Sequence, residues 1–343
     1  MKVFYSEAHR QHQPPFEVFD GGLRVPYLEN PDRMDRILQA LHQTEWAEVC
    51  EPADYGLEPI YAVHDRDYIE FLGSAWTEWL ASDAKDKSAL LPATFALRSH
   101  PQKPTGVLGR AGYYIMDLSA CIVEGTYAAA LASAQCALSA GETVASGERS
   151  AFALCRPPGH HAGRDYAGGY CFINNAAVAA HWLSERGKVA LLDVDYHCGN
   201  GTQDIFYARA DVLTVSIHAD PNFEYPHFAG YTGETGAGAG VGFHRNFPLE
   251  KGTDDARYLS ALDEALGLIR SYAPTCLVVS AGMDIYADDP LGTIKVSTEG
   301  IADIGKRISA LELPTVIVME GGYNNDMLGR NIVEFLTQFV RRH

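Results

Sequence analysis

The sequence predicts a doubly wound α/β fold, with one mostly parallel sheet flanked by helices. Three observations predict it. Short apolar, β-branched runs recur along the chain, helical patterns separate them, and no stretch between them has the composition of an interdomain linker. Such alternation is the mark of parallel strands joined by crossover helices. Residues 2–5 (KVFY) open the chain as a strand. An Ala-rich helical pattern follows at 126–140, and Ser133 and Gln135 interrupt it, so it reads as a packed helix rather than a membrane span. Residues 151–155 (AFALC) form the next strand, and 175–185 the next helix. Strands then fall at 189–194 (VALLDV) and 212–217 (VLTVSI), and a helix at 254–272. A strand at 276–280 (CLVVS), a helix at 299–311, a strand at 315–319 (TVIVM) and a helix at 327–341 complete the pattern. The 343 residues fit one large α/β domain, and residues 1–343 are read as that single domain.

Two segments stand outside the alternation. Residues 82–105 are polar with scattered Pro and Lys, too long for a simple connection, and such a loop is expected to serve as a lid, a binding loop or an interface. The run 233–242 (GETGAGAGVG) lacks the Gly-Lys-Ser/Thr of a phosphate cradle and is expected to be a flexible turn.

Composition narrows the function. With 27 Lys+Arg against 44 Asp+Glu, the net charge is -17. Such a surface repels phosphate backbones and anionic lipid, which argues against nucleic acid and membrane as partners, and it attracts cations, polyamines included. An acidic surface also serves plain solubility. The 7 cysteines include no C-x-x-C pair, so a zinc knuckle or disulfide framework is not expected, and a reducing, cytoplasmic setting fits. The N-terminus shows no h-region, so no signal peptide is expected, and no apolar run approaches the ~18 residues of a transmembrane helix.

Polar clusters follow the strands at 151–155, 189–194, 276–280 and 315–319: Arg156-Pro-Pro-Gly-His160-His161, Asp193-Val-Asp195-Tyr-His197, Ala281-Gly-Met-Asp284 and Glu320-Gly-Gly-Tyr323. Ligands of open α/β sheets bind beyond the carboxyl ends of the strands, so these clusters should converge on one crevice. Asp193, Asp195 and His197 occupy alternate positions, which on extended chain point the same way. Taken alone, D-x-H is more often a strand end with a helix cap. With Asp284 arriving on another strand end, Asp195, His197 and Asp284 make three metal ligands and leave a position open for water, as in catalytic zinc sites. Asp193 then supports from behind. Of His160 and His161, one can act as general base and the other as acid or electrostatic partner, each oriented by a hydrogen bond, from Asp193 or from Asn200. A surface turn is the alternative for that pair. Tyr323 after two glycines is either a half-buried turn aromatic or a phenol donor to an oxyanion.

These residues carry a resemblance. RPPGHHA (156–162), GGYCFINNAA (168–177), DVDYHCGNGTQDIFY (193–207), SIHAD (216–220), GMDIYADDPLG (282–292) and EGGY (320–323) resemble, in order, the histone deacetylase and acetylpolyamine amidohydrolase family, and the bacterial acetylpolyamine amidohydrolases most. The resemblance implies the arginase-deacetylase fold and zinc on Asp195, His197 and Asp284, a set that Fe(II) can also occupy. It implies His161 as general base beside His160, and Tyr323 as donor to the tetrahedral intermediate. Tyr170 and Tyr225 would flank the substrate's methylene chain, and Glu17 would meet a distal ammonium, the alternative being a solvated surface residue. A structural potassium ion would sit on Asp193, Asp195, His197, Ser216 and Ile217. The loop at 82–105 would lie at the active-site rim and form a homodimer interface.

The chain departs from this pattern in places. Cys198 stands where many relatives have a second histidine, outside the ligand set. Asn200 stands where many eukaryotic members have aspartate, so the pKa of His161 is expected to lie lower than theirs. Pro104-Thr105 is followed by Gly106-Val107-Leu108, without the glutamate of some polyamine-specific relatives. The expected substrate is therefore a small cationic acetylated amine, a short diamine such as acetylputrescine or acetylcadaverine. Protein acetyl-lysine or another short amide is the alternative. A non-catalytic binder has no use for a general base, and a binuclear manganese guanidine hydrolase needs further ligands that Tyr196 and Cys198 do not offer.

Overall fold

The apolar runs become strands because both of their faces find cover. A computed structural model describes residues 1–97 and 102–340 of the chain. Its strands are β1 (Lys2–Phe4), β2 (Glu17–Phe19), β3 (Leu23–Val25), β4 (Glu48–Cys50), β5 (Ser150–Ala153), β6 (Val189–Asp193), β7 (Val212–Ala219), β8 (His244–Leu249), β9 (Cys276–Ala281) and β10 (Thr315–Met319). Its helices are α1 (Asp32–Leu41), α2 (Glu58–Tyr61), α3 (Arg66–Ala81), α4 (Val107–Tyr114), α5 (Thr126–Ala145), α6 (Asn175–Ser184), α7 (Asn200–Phe206), α8 (Asp255–Tyr272), α9 (Thr298–Ser309) and α10 (Leu328–Val340). Strands β2 and β3 form a small antiparallel pair. The other eight make one parallel sheet, ordered β4-β1-β5-β10-β9-β6-β7-β8.

Alternate residues of each central strand go to opposite faces. Ala151, Leu191, Val278 and Val318 join one apolar core with α3, α4, α5 and α6. Phe152, Leu192, Val279 and Met319 join the other with α1, α8, α9 and α10. A parallel sheet buried on both faces reads as continuous apolar runs, which is why β6, β7, β9 and β10 were legible. Side-chain caps start three of the helices: Asn174 accepts from Ala177 N (2.9 Å), Asp254 from Arg257 N (3.0 Å) and Ser297 from Gly300 N (3.0 Å).

Some elements lie outside the sequence-based assignment. Strand β8 (HRNFPL) contains Pro248 and Arg245 and pairs on one side only, with β7. Proline is tolerated at such an edge, so the strand carries no continuous apolar run. Helix α5 runs through Gly141 to Ala145, past the expected end at 140. The expected last helix reaches Arg341, which lies outside the described residues. The glycine run at 233–242, expected as a flexible turn, packs on the end of α7: Ala237 N donates to Tyr207 O (2.8 Å), and a Cβ at Gly240 would run into the Tyr207 carbonyl. Among the described residues no helix is long and apolar enough to cross a membrane. All seven cysteines are free thiols.

His64 ties this frame to the loop that carries the tandem histidines. Its Nδ1–H donates to Gly163 O (2.8 Å) and its Nε2 accepts from Asn174 N (2.9 Å), so only the neutral ring fits. Burial pulls its pKa down to about 4. Below pH ~6.5 the unfolded chain binds a proton here that the folded chain refuses, so stability present above that pH is lost as pH falls toward 4. The loss from this one group is on the order of 3 kcal/mol. Urea midpoints should therefore drop between pH 7 and 4.5, and His64→Gln should flatten part of that drop. Equal pH slopes for the two proteins would exclude His64 as a source.

Candidate active site

Strands β5, β10, β9 and β6 are consecutive in the sheet and parallel, so the polar clusters that follow them leave it at one edge. Past the end of β6, Asp195 and His197 meet Asp284 from the segment after β9. One ligand atom from each lies within 4.8 Å of the others. His197 Nδ1 is 3.1 Å from Asp284 Oδ2 and 3.5 Å from Asp195 Oδ1. Backbone donors hold the carboxylates: Gly321 N to Asp195 Oδ2 (2.8 Å), His197 N to Asp195 Oδ1 (2.8 Å) and Tyr196 N to Asp284 Oδ1 (3.0 Å). A Cβ at Gly282 would run into Asp195 Oδ2, and one at Gly321 into both acids, which accounts for glycine in the GMD and EGGY motifs.

This set fits a divalent cation. Two carboxylates and one imidazole are the donors of a catalytic zinc-type site with an open position. Both acids are fully buried. Burial, and then the Asp195 charge, push Asp284 up to about 7, a repulsion that a cation between the two would relieve.

The tandem histidines lie beside these three residues, with ring centroids 4.0 Å apart. His160 Nδ1 is 3.0 Å from Asp193 Oδ2, and His161 Nδ1 is 2.7 Å from Asn200 Oδ1. The partners therefore divide as Asp193 to His160 and Asn200 to His161. Burial acts downward on His160, but Asp195 and Asp193 overcome it and hold its pKa well above the ordinary value. Burial, followed by the charges of His160 and His197, holds His161 well below it. Two neighbouring groups with pKa values driven apart are what acid–base chemistry requires. Glu320 supports the pair from beneath, accepting from Gly159 N (2.7 Å), His160 N (3.1 Å) and Ser280 Oγ (3.2 Å). Glu320, His160 and Cys171 also have ligand atoms within 4.8 Å of one another. The carboxylate there is already taken up by these donors.

Tyr323 is buried on the loop after β10, its backbone N donating to Asp289 Oδ2 (2.7 Å). The Arg33 guanidinium lies 4.9 Å over its ring, and the Tyr170 ring is 5.7 Å away. Tyr170 has φ +68°, a conformation that costs a side-chain-bearing residue energy and marks functional turns. The Tyr225 ring stands 4.9 Å from that of His161, edge-on. Both tyrosines thus border the groups above. Glu17 is placed differently from the expectation that it faces a distal ammonium. It is fully buried, Oε1 accepting from Leu28 N (3.0 Å) and Oε2 from Tyr170 O–H (2.5 Å), so it holds the Tyr170 ring instead.

Asp117, Glu29 and Arg33 also belong to the site, and no motif marked them. Half-buried Asp117 accepts from Tyr225 O–H (2.7 Å) and Gly169 N (2.6 Å) through Oδ2, fixing both walls of the crevice. Arg33 donates to Gly322 O and Glu320 O (2.7 Å each) and to Glu29 Oε1 (2.8 Å). Arg156 donates to the carbonyls of His9 (2.7 Å), His12 (2.8 Å) and Glu29 (2.7 Å). In sequence, Glu29 and Arg33 look like a surface i,i+4 pair, and nothing local marks them as buried. Cys198 is buried against the loop at Gly230, outside the ligand set. Ser216 lies opposite Asp193 in the β6–β7 register, with Ile217 next to it, and Ser216 Oγ bonds His218 Nδ1 (2.7 Å). Of the loop at 82–105, residues 98–101 lie outside the described residues. Leu90 pairs with Ile122, and Ala89 and Leu91 pack on the cluster of Tyr27, Tyr170 and Tyr323.

Known proteins resemble this chain. The histone deacetylase domain matches residues 27–339. Acetylpolyamine amidohydrolase 2 of Pseudomonas aeruginosa is 46% identical, with 100% of each chain covered. Acetylpolyamine amidohydrolase of Mycoplana ramosa is 43% identical over 98% of each chain. The crystal structure of acetylpolyamine aminohydrolase from Burkholderia pseudomallei superposes with a TM-score of 0.95 at 42% identity, covering 99% of this chain and 98% of that one.

Proposed function

This chain belongs to the histone deacetylase family, and from that premise we propose that it is a zinc-dependent deacetylase of acetylated polyamines, with short acetylated diamines as its preferred substrates. The observation that carries the reading is the meeting, at one sheet edge, of the Asp195–His197–Asp284 ligand set with the His160–His161 pair and the Tyr323 loop. Relatives named for acetylpolyamines over their full length support the substrate class.

Asp195, His197 and Asp284 would hold the metal, zinc or Fe(II). When bound, such an ion supplies Lewis acidity, polarising the amide carbonyl and lowering the pKa of water toward ~7. His161, neutral in its buried setting, takes the proton of the attacking water at Nε2. The Tyr323 phenol donates to the oxyanion that forms as the carbonyl carbon becomes tetrahedral. His160, held cationic by Asp193 and Asp195, stabilises that charge, and a histidine returns a proton to the departing amine. Acetate and the free amine are the products. Tyr170 and Tyr225 would enclose the methylene chain between ring faces, an apolar fit that suits a short diamine spacer.

Further features support lesser parts of the reading. Asp193, Asp195, His197, Ser216 and Ile217 would hold a structural potassium ion, a reading supported by the β6–β7 register, which sets Asp193 opposite Ser216. The rim loop and its neighbours expose Leu97 (75%) and Phe228 (93%), which supports a homodimer through this face. A monomer in sedimentation velocity runs would remove it.

A panel of acetylputrescine, acetylcadaverine, acetylspermidine and acetyl-lysine peptide tests the substrate assignment. The first two should show the highest kcat/KM with zinc-loaded enzyme. A higher value on the peptide would transfer the assignment to protein deacetylation.

A further inference from the structure

With the hydrolytic role of His161 resting on the reading above, its tautomer becomes decisive. The ring can accept a proton at Nε2 only if Nδ1 carries the hydrogen. A carboxylate facing Nδ1 enforces this, because it can only accept. Here the facing group is the Asn200 amide, which has two ends. Turned over, it would donate to Nδ1 and leave the hydrogen on Nε2, disabling the base. Something must hold the amide the right way round.

The surroundings of Asn200 do so by their chemistry. Its Nδ2 faces Met116 Sδ (3.8 Å) and the Tyr166 hydroxyl (3.3 Å). A thioether can only accept. A hydroxyl can do either, but that of Tyr166 donates to Asp204 Oδ2 (2.5 Å) and so turns a lone pair toward Asn200. Both neighbours therefore demand the NH2 end, and the amide oxygen is left for His161. Asn200 and Asp204 stand four residues apart on α7, on one face, with the Tyr166 hydroxyl between them. Tyr166 is seated by a bridge to Gly163, whose N donates to Tyr166 O (3.0 Å). A Cβ at Gly163 would run into the Tyr166 ring.

We propose that Tyr166, oriented by Asp204, is a positioning residue that fixes the His161 tautomer by fixing the Asn200 amide. The chain of donors runs His161 to Asn200 to Tyr166 to Asp204. This relay is needed because the residue at 200 is an amide, and a carboxylate would make it dispensable.

Steady-state kinetics on acetylputrescine with zinc-loaded enzyme test this. Tyr166→Phe should lower kcat roughly five- to tenfold at nearly constant KM, the discrimination that one partly buried hydrogen bond supplies. Exposed Asp204→Ala should cause a smaller loss in the same direction, because it removes the acceptor that turns the hydroxyl's lone pair toward Asn200. In an Asn200→Asp background, whatever that enzyme's own rate, adding Tyr166→Phe should change kcat by less than about twofold, since no wrong end remains. Nitrogen-15 correlation NMR should show His161 protonated at Nδ1 in the wild type, with an Nε2–H population appearing in Tyr166→Phe. Equal losses from Tyr166→Phe in both backgrounds, no loss in either, or an unchanged tautomer would overturn the proposal. A wild type without deacetylase activity would instead sink the hydrolytic reading, and the NMR result would still decide whether the relay exists.

Discussion

His161→Ala should reduce kcat/KM on an acetylated diamine by about 10²- to 10⁴-fold, the range that a positioned general base supplies. His161 is fully buried among polar groups and kept neutral by burial and by His160 and His197, so its Nε2 is ready to take a proton at neutral pH. Among the described residues, no other group of the site combines that readiness with the position. His160 is committed to Asp193 and held in its charged form, and His197 belongs to the ligand set. Because His161 is not among the ligands, bound metal measured by emission spectroscopy should match the wild type. Turnover near the wild-type rate would reassign the base, whereas loss of metal together with activity would show that His161 acts through the ligand set.

Tyr323→Phe should lower kcat about 10²- to 10³-fold, the usual cost of deleting one oxyanion donor, with metal content and fold unchanged. The change removes one oxygen. The ring keeps its contacts with Arg33 and Tyr170, and its backbone N keeps Asp289. Gly321 packs directly on Asp195 and Asp284, so the loop bearing Tyr323 stays seated against the ligands. The effect belongs to kcat rather than KM, because the phenol interacts most strongly with charge that develops only during reaction. A variant that keeps most of its kcat would take Tyr323 out of the mechanism. One that loses metal as well would point to a structural role.

The central strands and most of the site were legible for the same reason. A parallel strand buried on both faces must be apolar throughout, and the polar residues that interrupt such a run stand at its end, where ligands bind. That argument places His160, Asp195, Asp284 and Tyr323 at one edge before any coordinates exist. It fails for β8, whose single paired edge admits Pro248 and Arg245. It fails also for Glu29 and Arg33, which segments far away in the chain bury, and for Asp117, whose partners Gly169 and Tyr225 come from distant loops. Glu17 shows the limit most clearly. As a lone acid near the N-terminus it looks free to meet a cation, yet folding brings Tyr170 and Leu28 onto its two oxygens.

By itself, the sequence determined which chemical groups stand at the strand ends, and hence the candidate ligands, the histidine pair and the family. Only the tertiary structure decided which partner each group receives: Asp193 for His160, Asn200 for His161, Tyr170 for Glu17, and Tyr166 with Asp204 behind Asn200. The physical reason is range. Hydrophobic periodicity is written locally along the chain, while a hydrogen bond between residues dozens of positions apart or more exists only once the sheet has brought their loops together.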